Sequence, residues 1–335
     1  MTTRLAINGF GRIGRNILRA LYESGRKDLE VVAINDLAPT ANLAHLLKYD
    51  SVHGRFPGKI THTESSIDIG NGPIQVTAIR NLDEQDWSDN KVDIVLECTG
   101  IFTAREKAAA HLAAGAKRVL ISAPGANADK TIVYGVNHDT LTKDDIVVSN
   151  GSCTTNALAP VAKVLHDNFG IESGFMTTIH AYTGDQPTLD GVHKNLNRGR
   201  AAALSMIPTS TGAAKAIGLV MPELAGKLDG KAIRVPTPNV SVVDLVVNLK
   251  KDVDIETINA AFKTAASGSL KGVLQTVDDP TVSIDFNHDP HSSSLVLEET
   301  VVTSPKFARV LSWYDNEWGF SNRMLDTAAK MATFL

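Results

Sequence analysis

At 335 residues, 43% hydrophobic and 21% charged with a formal net charge of −4, the chain is long enough for two domains with sizeable cores and too apolar to be mainly disordered. The mild charge offers no case for nucleic acid or an anionic membrane as the main partner. No apolar run reaches membrane-spanning length, no basic stretch precedes an apolar core, and Cys98 and Cys153 form neither a disulfide framework nor a zinc spacing. A cytoplasmic protein with no signal peptide, no membrane partner and no metal is expected.

Residues 4–8 read as a short strand, followed by Gly9-Phe10-Gly11-Arg12-Ile13-Gly14. Ile13, Ile17, Leu18 and Leu21 mark one face of a helix that stops near Gly25. A second strand, 30–35, ends at Asp36, roughly twenty residues past the last glycine. In that setting G-x-G-x-x-G predicts a dinucleotide-binding βαβ unit. Gly9 permits the tight turn, Gly11 lets a pyrophosphate approach the backbone, and Gly14 allows close helix–strand packing. The helix N-terminus suits the anion. Asp36 can accept from ribose hydroxyls and would repel a 2′-phosphate, which favours NAD over NADP.

Further strands are expected at 92–98, 117–122, 132–136 and 146–148, with a helix over 103–114 and an antiparallel insertion over 55–80. Strands alternating with helices predict a doubly wound, parallel Rossmann sheet over residues 1–150. Cys98, inside an apolar strand, reads as structural. Arg80 is placed to stack on or bond the adenine end of a cofactor, unless it is simply a solvated surface arginine.

After residue 150 the pattern changes, which puts a domain boundary and a tight hinge there. Leu158, Val161, Ala162, Leu165 and Phe169 predict an amphipathic helix over 152–169, with Ser152 as N-cap and Cys153 in its first turn. Free N–H groups and the positive helix end favour a thiolate there, although a lone cysteine more often reads as a buried structural residue. A strand over 175–180 ends at His180, and a long stretch poor in periodicity, 181–207, follows. A short helix over 211–219 precedes strands at 232–235, 240–249, 274–277, 295–301 and 308–314. Helices are expected at 255–266 and 321–334. This second region predicts an α+β domain with a mostly antiparallel sheet.

A dinucleotide site together with an activated thiol points to one chemistry. A thiolate adding to an aldehyde makes a tetrahedral carbon that readily gives up hydride and leaves a thioester. His180 is the candidate base, and a Cys153–His180 pair would lower the thiol pKa. Arg198, Arg200 and Arg234 with Thr154, Thr183, Ser210, Thr211 and the helix start at Gly212 supply groups of the kind that hold phosphate.

Five motifs then carry a resemblance over essentially the whole chain: Ile7-Asn8-Gly9-Phe10-Gly11-Arg12-Ile13-Gly14-Arg15, Ser152-Cys153-Thr154-Thr155-Asn156, Ser210-Thr211-Gly212-Ala213-Ala214-Lys215, Arg234-Val235-Pro236-Thr237-Pro238-Asn239-Val240-Ser241 and Trp313-Tyr314-Asp315-Asn316-Glu317-Trp318-Gly319. The chain resembles the phosphorylating, glycolytic glyceraldehyde-3-phosphate dehydrogenases. The resemblance implies Cys153 as nucleophile and His180 as base. It implies Arg12, Ile13, Asp36, Arg80, Ser122 and Asn316 as NAD contacts. Ser152, Thr154, Thr183, Arg198, Thr211, Gly212 and Arg234 would hold the phosphate of glyceraldehyde 3-phosphate and the attacking inorganic phosphate. It further implies a catalytic domain over 151–315, a last helix (about 316–335) packed back on the first domain, and a homotetramer with the loop after His180 at a subunit interface.

Three departures from the family pattern stand out: Gly151 replaces the usual alanine, Ala157 replaces the cysteine common four residues after the nucleophile, and Gly191-Val192 replaces the pairs by which some members select their cofactor. Gly151 is expected to loosen the helix entry, Ala157 removes a resolving thiol, and the loop pair leaves NADP open. A rival within the chemistry is erythrose-4-phosphate dehydrogenase, where the thioester is hydrolysed. Tyr182-Thr183-Gly184-Asp185 and Ser210-Thr211-Gly212 look like the phosphorylating branch. A rival of another class is a nucleotide- or RNA-binding scaffold, against which the near-neutral charge counts.

Overall fold

The strand Thr3–Asn8 runs into the glycine turn and the helix Arg12–Ser24, which ends on Gly25 in the left-handed region, and Leu29–Asn35 returns parallel to it. A computed structural model describes residues 2–335. The chain divides into two compact units, one up to Ser152 together with Ser321–Leu335, the other Cys153–Phe320.

The first unit carries a nine-stranded sheet in the order Lys130–Thr131, Val147–Ser149, Arg118–Ile121, Ile94–Glu97, Thr3–Asn8, Leu29–Asn35, Pro73–Thr77, Ser66–Asp68, Thr61–His62. All neighbours are parallel as far as Pro73–Thr77, and the last two pairings are antiparallel. Ile94, Val95, Leu96, Val119, Leu120 and Ile121 are wholly buried, as strands covered on both faces require. The unit is a doubly wound Rossmann sheet with an antiparallel edge.

Two expectations within it are corrected and one element is added. Residues 132–136 are a turn rather than a strand. Val133 N–H donates to Asn137 Oδ1 at 2.8 Å while Asn137 Nδ2 donates to the Thr131 carbonyl at 2.9 Å, so a side chain supplies the partners a strand would have offered. The helix expected over 103–114 is two short segments, Arg105–Ala108 and Ala110–Ala113. A helix not anticipated, Thr40–Lys48, buries Leu43, Ala44 and Leu47.

In the second unit the sheet order is Ile207–Ser210, Leu228–Val235, Ile171–Ala181, Ser241–Leu249, Phe307–Tyr314, Ser293–Val296, Leu274–Val277, with Val301–Ser304 beside Phe307–Tyr314. Most pairings are antiparallel; Ile171–Ala181 with Leu228–Val235 and Leu274–Val277 with Ser293–Val296 are parallel. The strand expected over 295–301 is interrupted by a 3-10 turn at Leu297–Glu299, and Ile207–Ser210 is an additional strand. The helix Cys153–Phe169 buries Leu158, Val161, Ala162 and Leu165 completely. The final helix is Trp318–Ala332, three residues earlier at its start than the periodicity marked. Within the first unit Thr327 Oγ1 donates to Asn150 Oδ1 at 2.8 Å, and Arg118 reaches the Phe334 carbonyl at 3.0 Å. Among the described residues no helix is long and apolar enough to cross a membrane.

Candidate active site

In the first unit a pocket of about 400 Å³ opens at the carboxyl ends of the parallel strands, lined among others by Gly9, Gly11, Asp36, Arg80, Thr99 and Phe102. Its glycines do separate jobs. Gly9 has φ +92° and no room for a Cβ, which would fall 2.7 Å from the Thr99 nitrogen. A Cβ on Gly14 would fall 2.3 Å from the Gly9 carbonyl oxygen. Gly11 faces open space, with nothing within 4 Å. Bare backbone beside a helix N-terminus fits a pyrophosphate. Asp36 Oδ2 accepts from Phe10 N–H at 2.8 Å and Oδ1 from Ala38 N–H at 3.0 Å, which holds the carboxylate at the pocket wall. Ile13 lies in the first turn of the helix and Arg80 is exposed.

Arg12 is ion-paired with Asp50. Burial pushes the Asp50 carboxyl up, yet the His53 and Val52 N–H groups and Arg12 together hold it down at about 2. Cys98 falls one residue beyond its strand, lines the pocket half-buried and takes a hydrogen bond from Ser122; burial pushes its thiol up.

The second unit holds the thiol. Cys153 opens the helix Cys153–Phe169, directly after Ser152, and its Sγ lies 3.5 Å from His180 Nε2. Parallel pairing sets His180 opposite Arg234. The other ring nitrogen, Nδ1, is 2.7 Å from the Ala181 carbonyl oxygen and 3.1 Å from Arg234 Nη1, and the shorter contact, to an acceptor, favours a proton on Nδ1. Arg234 Nη1 donates to the same carbonyl at 2.9 Å and to Thr183 Oγ1 at 3.4 Å. With Nδ1 committed, Nε2 presents its lone pair to the sulfur.

The electrostatics differ from the expected thiolate pair. Burial pushes the His180 imidazole down to about 3, and the neighbouring Arg234 cation pushes the same way. For Cys153, burial pushes the thiol up, against Arg234 and the Thr154 hydroxyl and amide, which pull it down. Neutral thiol beside neutral imidazole is the resting state these forces favour. The helix end and the histidine are legible in the sequence, whereas desolvation and a guanidinium set opposite the ring are not.

Around this pair the expected anion-binding groups gather unevenly. Arg198 Nε donates to Thr209 Oγ1 at 2.9 Å, Nη1 to Asp185 Oδ2 at 2.8 Å and Nη2 to the Ser210 carbonyl at 3.4 Å, which ties it to the chain just before Thr211 and Gly212. Thr211 Oγ1 accepts from Ala213 N–H at 3.2 Å, and Gly212 is the N-cap of the helix Ala213–Val220. Arg200 is not part of the cluster: its exposed guanidinium pairs with Asp190 at 2.9 Å. Asn316 is buried, and its Oδ1 accepts from the Ser241 hydroxyl at 2.8 Å, while Ser241 Oγ accepts from Ala181 N–H at 3.0 Å.

Two residues were missed. Tyr314 OH sits between Thr154 Oγ1 and Thr178 Oγ1, 2.9 Å from each, and braces the first turn of the thiol helix against the His180 strand. Only strand register brings them together, and no local pattern announces it.

Two family models match the chain: "Glyceraldehyde 3-phosphate dehydrogenase, NAD binding domain" over residues 3–105 and "Glyceraldehyde 3-phosphate dehydrogenase, C-terminal domain" over 152–316. The chain is 68% identical over 335 residues to a glyceraldehyde-3-phosphate dehydrogenase of Cereibacter sphaeroides, covering 100% of both chains. It is 67% identical over 331 residues to that of Xanthobacter flavus and 55% identical over 334 residues to that of Geobacillus stearothermophilus, with 99% of each chain covered.

Proposed function

Because the chain belongs to the glyceraldehyde 3-phosphate dehydrogenase family, we propose that it oxidises D-glyceraldehyde 3-phosphate to 1,3-bisphosphoglycerate, with hydride passing to NAD and inorganic phosphate taken up. Residues up to about 150 form the cofactor domain and 151–315 the catalytic domain in this reading. Gly9, Gly11, Arg12, Ile13, Asp36, Arg80, Ser122 and Asn316 would hold the dinucleotide. When bound, its nicotinamide supplies a hydride acceptor.

The chain's own residues supply the rest. Cys153 Sγ bonds to the aldehyde carbon as the thiol proton passes to the developing oxyanion by way of His180 Nε2, which gives a thiohemiacetal. Nε2 then takes the hydroxyl proton as that carbon gives up hydride, and a thioester remains on Sγ. A phosphate oxygen attacks the thioester carbon, the C–S bond breaks, and the acyl phosphate leaves. Sulfur is reprotonated and the remaining proton goes to water. Ser152, Thr154, Thr183, Arg198, Thr211, Gly212 and Arg234 bind and orient the two phosphates with charge-assisted hydrogen bonds.

The observation that carries this reading is the 3.5 Å approach of Cys153 Sγ to a His180 Nε2 whose ring partner is tied to a carbonyl. NADH formation over many turnovers, with and without inorganic phosphate, tests it. Sustained turnover should require phosphate, and an equal rate without it overturns the phosphorolysis step. Cys153→Ser should abolish turnover while NAD still binds; retained activity would overturn the nucleophile. A homotetramer in the cytoplasm completes the proposal; the exposed apolar side chains Leu189, Val192, Leu196, Leu204 and Met206 in the loop 182–206 support a subunit contact through that loop.

A further inference from the structure

Beneath the dinucleotide pocket lies a buried polar cluster that the reaction does not use. Glu97 ends the strand Ile94–Glu97 and is 1% exposed. Its Oε2 accepts from Asn8 Nδ2 at 2.6 Å and lies 2.9 Å from His111 Nε2. Its Oε1 accepts from Thr99 N–H at 2.8 Å and from the Thr99 hydroxyl. No lysine or arginine among the described residues pairs with it; the ionisable partner is His111, itself 0% exposed.

The protonation pattern follows from the donors. Trp87 Nε1, which can only donate, lies 3.1 Å from His111 Nδ1, so Nδ1 must accept. The ring proton is therefore on Nε2 and is donated to Glu97. Asn8, His111 and Thr99 all give hydrogens to the carboxylate, and the cage fits that form.

Every group that Glu97 grips belongs to the pocket or supports it. Asn8, Cys98, Thr99, Ile101 and Phe102 line it. Thr99 Oγ1, while donating to Glu97, accepts from Ile101 N–H at 3.0 Å, which fixes the bend of the 98–102 wall. Phe102 meets the His111 ring edge-on, with centroids 6.4 Å apart. On the other side Asn8 Oδ1 accepts from Asn35 Nδ2 at 2.8 Å, and Asn35 Oδ1 accepts from Ile79 N–H at 2.8 Å. One hydrogen-bonded chain thus runs from the indole of Trp87 across the ends of three parallel strands.

We propose that Glu97, His111 and Trp87 are positioning residues that hold the 98–102 wall and the Asn8 floor of the dinucleotide pocket, so that cofactor affinity depends on this relay while the chemical step does not. The proposal rests on the reading of that pocket as the NAD site.

The test is titration calorimetry of NAD on the purified full chain, with steady-state kinetics and thermal unfolding alongside. His111→Leu removes both hydrogen bonds of the ring, and Glu97→Gln turns an amide NH₂ toward obligate donors. Each should weaken NAD binding roughly tenfold and raise the NAD KM in step, with kcat and the aldehyde KM within about twofold. His111→Gln can accept from Trp87 through its carbonyl and donate to Glu97 through its amide, so it should restore wild-type affinity. A general loss of packing would move kcat and both KM values together and would not be rescued by glutamine. Wild-type affinity in a folded His111→Leu or in Glu97→Gln overturns the relay, as does His111→Gln binding no better than His111→Leu. Should His111→Leu fail to fold, Glu97→Gln against wild type decides alone. Failure of wild type itself to bind NAD overturns the pocket assignment and the relay with it, whereas wild-type binding with indifferent variants overturns the relay only.

Discussion

Around the dinucleotide pocket the important groups are backbone at a glycine turn and side chains at the ends of adjacent parallel strands, Asn8, Asn35 and Glu97. The thiol site instead draws Cys153, Thr178, His180, Arg234 and Tyr314 from three strands and a helix, and Thr154 meets Tyr314 across 160 positions of chain. The first is a shape made by what is missing, Cβ atoms above all. The second is an arrangement of charge and hydrogen bonds made by what is present. Shape and charge should fail differently under substitution, and that contrast can be tested from both sides.

The charge side gives the largest effects. His180→Asn should lower kcat by about 10²–10⁴ as the proposed general base is lost, with NAD binding unchanged by calorimetry. It should also alter acid stability. Folded His180 titrates at about 3, well below an ordinary imidazole. The unfolded chain therefore takes up a proton below roughly pH 6.5 that the folded chain refuses, and stability falls as pH drops from there to about 3, by up to ~1.4 kcal/mol per pH unit. Urea unfolding of wild type against His180→Asn across pH 4–7 isolates this slope. A variant as acid-sensitive as wild type would show that the slope belongs to other groups.

Arg234→Leu comes next, with turnover down by about 10². Removing that cation takes away a pull on the thiol and a push on the imidazole, so both midpoints should rise. Alkylation of Cys153 by iodoacetamide at fixed neutral pH should slow accordingly, because less thiolate is present. Faster alkylation would reverse the sign assigned to Arg234.

This contrast also explains what could be read without coordinates. Gly9, Gly11, Gly14 and Asp36 are local, so their spacing alone marks the proposed cofactor turn. Cys153 and His180 stood at element ends that apolar periodicity marks well. Tyr314 and Thr178 were invisible because only the register of Ser241–Leu249 against its two neighbours brings their strands together. Arg200 was grouped with the phosphate ligands through its nearness to Arg198 in sequence, yet Asp190 captures it. The strand assigned to 132–136 yielded to one asparagine side chain, a local competitor that hydrophobic patterning does not register. Helix Thr40–Lys48 follows Pro39 in a stretch to which the sequence pattern assigned no element.

The shape side predicts smaller losses that split by position. In Gly14→Ala the new methyl meets the Gly9 carbonyl oxygen, so stability should fall by about 1–3 kcal/mol in urea unfolding, with NAD affinity lost as well. Gly11→Ala meets no protein atom. Its stability should stay within about 0.5 kcal/mol of wild type while NAD binding weakens, because the methyl occupies space a pyrophosphate needs. Equal stability losses at Gly11 and Gly14 would remove the distinction between turn packing and ligand approach.

The smallest effect is expected at Gly151, where the resembling family commonly has alanine. Here the residue is buried with φ +65°, and its N–H is 3.1 Å from Ser149 Oγ. Glycine adopts this left-handed conformation without the penalty that an alanine would carry at the residue just before Ser152. Gly151→Ala must pay for the same backbone shape, about 1 kcal/mol, or shift the turn and move Cys153 relative to His180. The two outcomes separate cleanly. If the backbone holds, urea unfolding shows the loss while kcat and the iodoacetamide rate stay at wild-type values. If the turn shifts, stability is retained and both rates fall. The hydrogen bond to Ser149 and the burial of the turn favour the first.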